Sequence, residues 1–117
     1  MSYDICLCDP VTKETIEFEA DHQVVGGIFR WGGTKEAWLN VTYNYHPHFK
    51  TLGEKGIREL YGKTGAESIP ILKNVISGLG DNVDQAYWKA TEGNAKRALC
   101  GLLAFAQMRP DGVWSGD

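Results

Sequence analysis

Much of what marks the specialised protein classes is missing from these 117 residues. No run of lysine or arginine occurs; the longest basic pair is Lys96-Arg97, and the formal net charge is −3. A nucleic-acid-binding domain normally carries a basic patch, so nucleic acid is disfavoured as a partner. No apolar run approaches the roughly 18 residues of a membrane span. Met1-Ser2-Tyr3-Asp4 has neither a basic n-region nor an apolar h-region, so no secretory signal is expected. Cysteine is scarce: three in all, with Cys6 and Cys8 two apart. An odd, closely spaced set fits reduced thiols in a cytosolic protein better than a disulfide framework. The expected location is therefore cytoplasmic, and the sequon Asn40-Val41-Thr42 carries no weight there.

Internal repeats, linkers and low-complexity tracts are also lacking, so residues 1–117 read as a single domain. A chain of this length buries roughly two-thirds of its unfolded surface and needs neither disulfide nor metal to fold. Its hydrophobic content of 43% and charged content of 23% are ordinary for a globular protein.

The periodicity divides the chain into a strand-rich part over 1–46, a helical part over 47–110 and an irregular tail over 111–117. Residues 3–8 alternate, with Tyr3, Ile5 and Leu7 on one side, as a half-buried strand does. Asp9 to Lys13 reads as a turn because proline presets φ and aspartate can bond its own backbone. Thr15 to Glu19 alternates again, which predicts a β-hairpin. Val24 to Trp31 reads as a strand interrupted by Gly26-Gly27, with Gly32-Gly33 making a tight connection to a further strand over Ala37 to Tyr45. The fold class is thus α+β: an antiparallel β-meander of about four strands packed against C-terminal helices.

Beyond Pro47, the segment Phe49 to Tyr61 has helical potential interrupted by Gly53 and Gly56. Ser68-Ile69-Pro70 reads as a helix start. Ile69, Leu72, Val75, Ile76 and Leu79 form its apolar stripe, and Gly80 is a stop. Thr91 opens the strongest helix, with Ala95, Ala98, Leu99, Leu102, Leu103 and Ala106 on one face, and Pro110 ends it. The opposite face carries Cys100, Gly101, Ala104 and Met108 where charge is normal. That face suits either packing on both sides or a contact between two copies of the chain.

The strand over 37–45 is the most informative segment. Alternation puts Ala37, Leu39, Val41, Tyr43 and Tyr45 on a core face and Trp38, Asn40, Thr42 and Asn44 on the other. Asparagine is a poor strand former, so two of them beside a tryptophan suggest a face shaped for a planar polar ligand. The alternative is a polar face covered by another element. Trp31 with Arg30, and Trp88 before the last helix, add aromatic and cationic candidates. The helix start Thr91 to Arg97, with Asn94 and a glycine at 93, could face an anion.

Other chemistry fits poorly. Gly62-Lys63-Thr64-Gly65 imitates the end of a P-loop, but position 57 is Ile57 where the pattern needs glycine. His46-Pro47-His48, His22 and Cys6-Leu7-Cys8 match no common zinc spacing, and no metal or other cofactor is expected. There is no Gly-x-Ser-x-Gly elbow and no evident pair of catalytic carboxylates.

The segments Glu36 to Tyr45, Gly62 to Pro70, Thr91 to Leu99 and Met108 to Trp114 resemble small, functionally uncharacterised proteins encoded by phages and prophages. The resemblance transfers no activity. It implies a chain acting on host machinery in the host cytoplasm. Sequestration of a nucleotide-type signal in counter-defence is the leading expectation, with Arg30, Trp31, Trp38, Asn40, Thr42, Asn44, His46, Trp88, Asn94 and Arg97 as ligand contacts. The alternatives are a module that inhibits a host protein and a small nucleotide-degrading enzyme with His46 or His48 as acid/base.

Overall fold

The computed structural model describes residues 2–22 and 34–117. The strand expected over Val24 to Trp31, the Gly32-Gly33 connection, and Arg30 and Trp31 as ligand contacts lie outside the described residues, as does the side chain of His22. The described chain is α+β. Its elements are β1 (Ser2–Cys8), β2 (Glu17–His22), β3 (Thr34–Glu36), β4 (Trp38–Thr42), 3₁₀ segments at Tyr43–Leu52 and Gly56–Leu60, α1 (Gly65–Ser77), α2 (Glu92–Met108) and β5 (Val113–Gly116).

β1 is the middle strand of an antiparallel sheet in the order β4-β1-β5. Its alternation sends Tyr3, Ile5 and Leu7 into the core, where Ile5 lies opposite Leu39 and Leu7 opposite Trp114. The turn after it forms as the sequence implies: Asp9 Oδ1 accepts from the Val11 and Thr12 N–H groups at 2.8 and 3.0 Å. The hairpin beyond it is only a stub, an antiparallel bridge between Cys8 and Thr15. A strand has two edges, and β4 and β5 occupy those of β1. β2 therefore leaves and pairs with β3 in a separate two-stranded sheet, so the N-terminal strands form two sheets rather than one meander. Ile16 ties the two together: its N–H donates to the Leu7 carbonyl at 3.0 Å, and its carbonyl accepts from Ala37 at 2.7 Å.

The tail is not irregular. Val113–Gly116 is β5, paired with β1 on one side. On the other side Gly62 N–H donates to the Trp114 carbonyl, and Trp114 N–H donates to the Lys63 carbonyl, both at 2.9 Å. Trp114 is 1% exposed, and its indole N–H donates to Ser68 Oγ at 2.8 Å. Four residues are too few for alternation to show, so only burial reveals this strand.

α1 begins at Thr64 rather than Ser68. Thr64 Oγ1 accepts from the Glu67 N–H at 3.1 Å and Glu67 Oε1 accepts from the Thr64 N–H at 2.9 Å, a complete capping box. The P-loop-like residues 62–65 are thus a turn and a helix start. Ser68 is buried in the next turn, and Pro70 sits inside the helix. The helix stops at Gly78, two residues before Gly80. α2 starts where its sequence says: Thr91 Oγ1 accepts from the Asn94 N–H at 3.1 Å. Its stripe of Ala95, Ala98, Leu99, Leu102 and Ala106 is buried, with Leu103 half-buried beside it. The segment expected to be helical over Phe49 to Tyr61 forms two 3₁₀ pieces. Pro47 lies inside the first, Gly53 at φ 142° ends it, and Gly56 at φ 61° opens the second where an added Cβ would lie 2.9 Å from the His46 ring.

Candidate functional site

The expected ligand face on the strand over 37–45 is divided by the fold. β4 ends at Thr42, because Thr42 caps the following 3₁₀ segment and its hydroxyl accepts from the Asn44 N–H at 3.3 Å. Only Trp38 and Asn40 remain on the outer sheet face, opposite Cys6 and Asp4 of β1. The Asn40 amide already donates to Ser2 Oγ at 2.9 Å and to Asp4 Oδ1 at 2.6 Å. Thr42 is buried. His46 lies apart from these, with Nδ1 3.4 Å from the Tyr3 hydroxyl.

A second group of nominated residues does come together, at the connection between α1 and α2. Residues 79–91 contain no helix or strand, yet side chains from two elements hold this loop. From the first 3₁₀ segment, the Asn44 amide donates to the Trp88 carbonyl at 2.7 Å, the Tyr45 hydroxyl donates to the Tyr87 carbonyl, and His48 Nε2 meets the Ala90 carbonyl at 2.7 Å. From α2, Asn94 Oδ1 accepts from the Asp84 N–H at 3.0 Å, and its amide donates to the Ala86 and Lys89 carbonyls at 3.2 and 3.1 Å. A long loop in a compact domain is normally functional or disordered. Six bonds to loop backbone make this one a fixed platform.

Trp88 stands on that platform with its ring edge-on to Tyr87 at 5.1 Å and is 56% exposed. Arg97 is exposed one turn into α2 and close enough to Tyr45 to favour its ionised form. Burial outweighs that effect and pushes the Tyr45 hydroxyl up to about 12, and burial likewise raises Tyr61 to about 12. A raised tyrosine pKa stabilises the fold fully below the unfolded value near 10 and is lost as pH rises through the folded value. Absorbance titration at alkaline pH should therefore show these two phenols ionising last, together with unfolding. Ionisation of all tyrosines near 10 in a protein still folded would contradict the buried placement.

The outward face of α2 forms the floor of a groove of about 500 Å³ that runs along the helix, bounded by Leu39 of β4 and Val83 of the loop. Gly101, Ala104, Phe105 and Met108 make it apolar, and Lys96 and Arg97 stand at one end. Lys96 is engaged with Asp81 at 2.7 Å, whereas Arg97 has no ion pair among the described residues. The first turn of α2 is closed to an anion. Asn82 Oδ1 accepts from the Gly93 N–H at 3.3 Å, and a Cβ at Gly93 would lie 2.6 Å from the Val83 backbone nitrogen, so the loop backbone fills the space a phosphate would need. Asn94, nominated as a ligand contact, is 4% exposed and holds the loop instead.

Among the described residues no three His, Cys, Asp or Glu side chains are grouped to hold a metal ion. Burial raises the Cys6 thiol above its usual range, which disfavours the thiolate. None of the described helices is long and apolar enough to cross a membrane. Comparison of the chain with protein-family models, curated proteins and solved structures returns no match.

Proposed function

We propose that the chain is a non-catalytic binding protein that takes a small nucleotide-type molecule at the Trp88 platform, in keeping with sequestration of a signal in phage counter-defence. The observation that carries this reading is an exposed tryptophan on a loop whose backbone is fixed from two sides. A flat ring held in place offers a stacking surface without the entropy of ordering a mobile loop. Arg97, one turn into the adjoining helix, would meet phosphate or carboxylate. The stacking ring is thus Trp88 rather than Trp38. Asn44, from the predicted set, acts by positioning Trp88 rather than by reading the ligand.

Thermal shift against nucleotides, including cyclic dinucleotides and ADP-ribose derivatives, tests the reading. A ligand at ~100 times its dissociation constant should add about 2.7 kcal/mol of stability. Trp88→Ala should weaken that ligand by about 1–3 kcal/mol, the usual worth of a stacked base, while the free protein melts where it did before. A panel without any shift would sink the nucleotide reading.

A second reading, a module that engages a host protein, draws on a separate observation. Val83 and Met108 are 56% and 55% exposed and border the apolar groove. A host partner retained in pull-downs by the Trp88→Ala protein would favour it.

A further inference from the structure

Among the described residues, the large apolar side chains most exposed are Val11, Val83, Trp88 and Met108. Val11 belongs to the Asp9 turn. Val83 and Met108 border one groove, the one along α2, and Trp88 belongs to the same loop as Val83. Apolar residues scattered singly over a surface need no explanation, whereas several around one groove mark a binding site.

The groove is polar at one end only. Its floor is Cys100, Gly101 and Ala104, with Leu39 in the wall. A Cβ at Gly101 would come 3.4 Å from Leu39 Cδ2, so glycine keeps the floor low beside that wall. Charged groups line the end nearest the start of α2, where Asp81, Lys96 and Arg97 stand. Asp81 and Lys96 pair at 2.7 Å and neutralise each other. Arg97 supplies the net charge: it is exposed and makes no ion pair among the described residues.

Size separates the candidate occupants. A volume of about 500 Å³ lies within the range of small-molecule sites, roughly 300–1,000 Å³. The helix face from Arg97 to Met108 is ~17 Å long at the rise of an α-helix. A stable protein interface needs roughly 800 Å² on each side, more than one such helix face supplies.

We propose that this groove takes a straight hydrocarbon chain ending in an anionic group. The chain lies along Cys100, Gly101 and Ala104 toward Met108, and the carboxylate or phosphate meets Arg97. Burial of the chain against Val83 and Met108 supplies the affinity. The exposed ion pair at Arg97 adds little affinity but sets the direction of the chain. The reverse direction is disfavoured: Arg109, which follows the helix, is already engaged by Asp111 and Asp9. The site abuts the Trp88 platform through Arg97 but does not depend on it.

The probes are straight-chain carboxylates from octanoate to hexadecanoate, each below its micelle concentration, with the alcohol of equal length as the uncharged control. Calorimetry gives the affinity. The rate at which Cys100 reacts with a thiol reagent, followed by mass spectrometry, locates the chain, because Cys100 is exposed on the groove floor. Affinity should rise about twofold per methylene, part of the roughly fourfold of full burial, since the groove is open on one side. Cys100 should slow in step with occupancy. Arg97→Gln should weaken the carboxylates about fivefold and leave the alcohols unchanged. Ala104 is exposed, so Ala104→Phe leaves the chain folded while raising the floor. It should weaken the long carboxylates about tenfold.

No binding by any carboxylate overturns the proposal and leaves the groove to a protein partner. Binding that leaves Cys100 reactive, or that ignores Ala104→Phe, also overturns it, because the chain then lies elsewhere. Alcohols that bind as tightly as the carboxylates overturn it too, because Arg97 then meets no anion. The nucleotide panel tests the Trp88 platform separately, so either reading can fail alone.

Discussion

Asn94→Ala should lower the free energy of unfolding by about 3 kcal/mol, a large share of the 5–15 kcal/mol typical of a domain. Asn94 is 4% exposed and its side chain makes three bonds to loop backbone, at Asp84, Ala86 and Lys89. Alanine removes all three and leaves an N–H and two carbonyls partly shielded from water without partners. Each such orphan costs roughly 1–3 kcal/mol when fully buried, and less here because the loop can open toward solvent. Asn94→Asp makes the argument sharper. It keeps the acceptor for the Asp84 N–H but turns the amide donor into a carboxylate facing two carbonyls. It should be at least as damaging at neutral pH and should recover part of the loss in acid, where the protonated carboxyl can donate again. Urea unfolding at both pH values distinguishes these outcomes. If Asn94→Ala unfolds at the wild-type midpoint, the loop is held by other contacts. Loss of nucleotide binding in Asn94→Ala would accompany the loss of stability, because the platform under Trp88 loosens.

The second large effect is expected at Trp114. Trp114→Ala should cost about 3–5 kcal/mol, as large-to-small changes in a core do. The bond to Ser68 can be separated from the packing. Ser68→Ala leaves the indole N–H buried without its acceptor, at about 1–3 kcal/mol. Trp114→Phe removes the donor and part of the ring. If the bond contributes as its 2.8 Å length and full burial imply, the double variant Trp114→Phe/Ser68→Ala should be more stable than the sum of the single losses predicts, by about 0.5–3 kcal/mol. Simple additivity in denaturant unfolding followed by far-UV circular dichroism would show that packing alone matters there.

These two residues illustrate where a sequence is legible and where it is not. The place of Asn94 at a helix start beside glycine suggests an anion site. The side chain in fact turns back to the preceding loop, and the Gly93 position brings the backbone of residues 81–83 against the helix. Helix-start chemistry is the same whether the acceptor comes from a ligand or from the chain, so only the path of the loop decides between them. The stretch around Trp114 reads as irregular because four residues carry no readable period. Its burial depends on a strand more than a hundred residues earlier in the chain.

The candidate face on β4 failed for a related reason. The alternation holds over 37–41, with Ala37, Leu39 and Val41 in the core. Extending the same strand to Tyr45 places Thr42 and Asn44 on its outer face. Threonine before a polar residue is also a good cap, and the cap took precedence once Tyr45 could bury itself under the loop. Trp88 is one of several tryptophans, with nothing local to single it out.

The sequence by itself determined what depends on neighbours along the chain. It set the core faces of β1 and α2, the Asp9 turn, the Thr91 cap and the α+β class, because periodicity and capping are local properties. Tertiary structure alone decided which strands share a sheet, since pairing joins residues distant in sequence and each strand has only two edges to give. It also decided which polar side chains are spent holding the loop at 79–91 and which aromatic ring that loop leaves exposed, because those outcomes follow from where three separate elements meet.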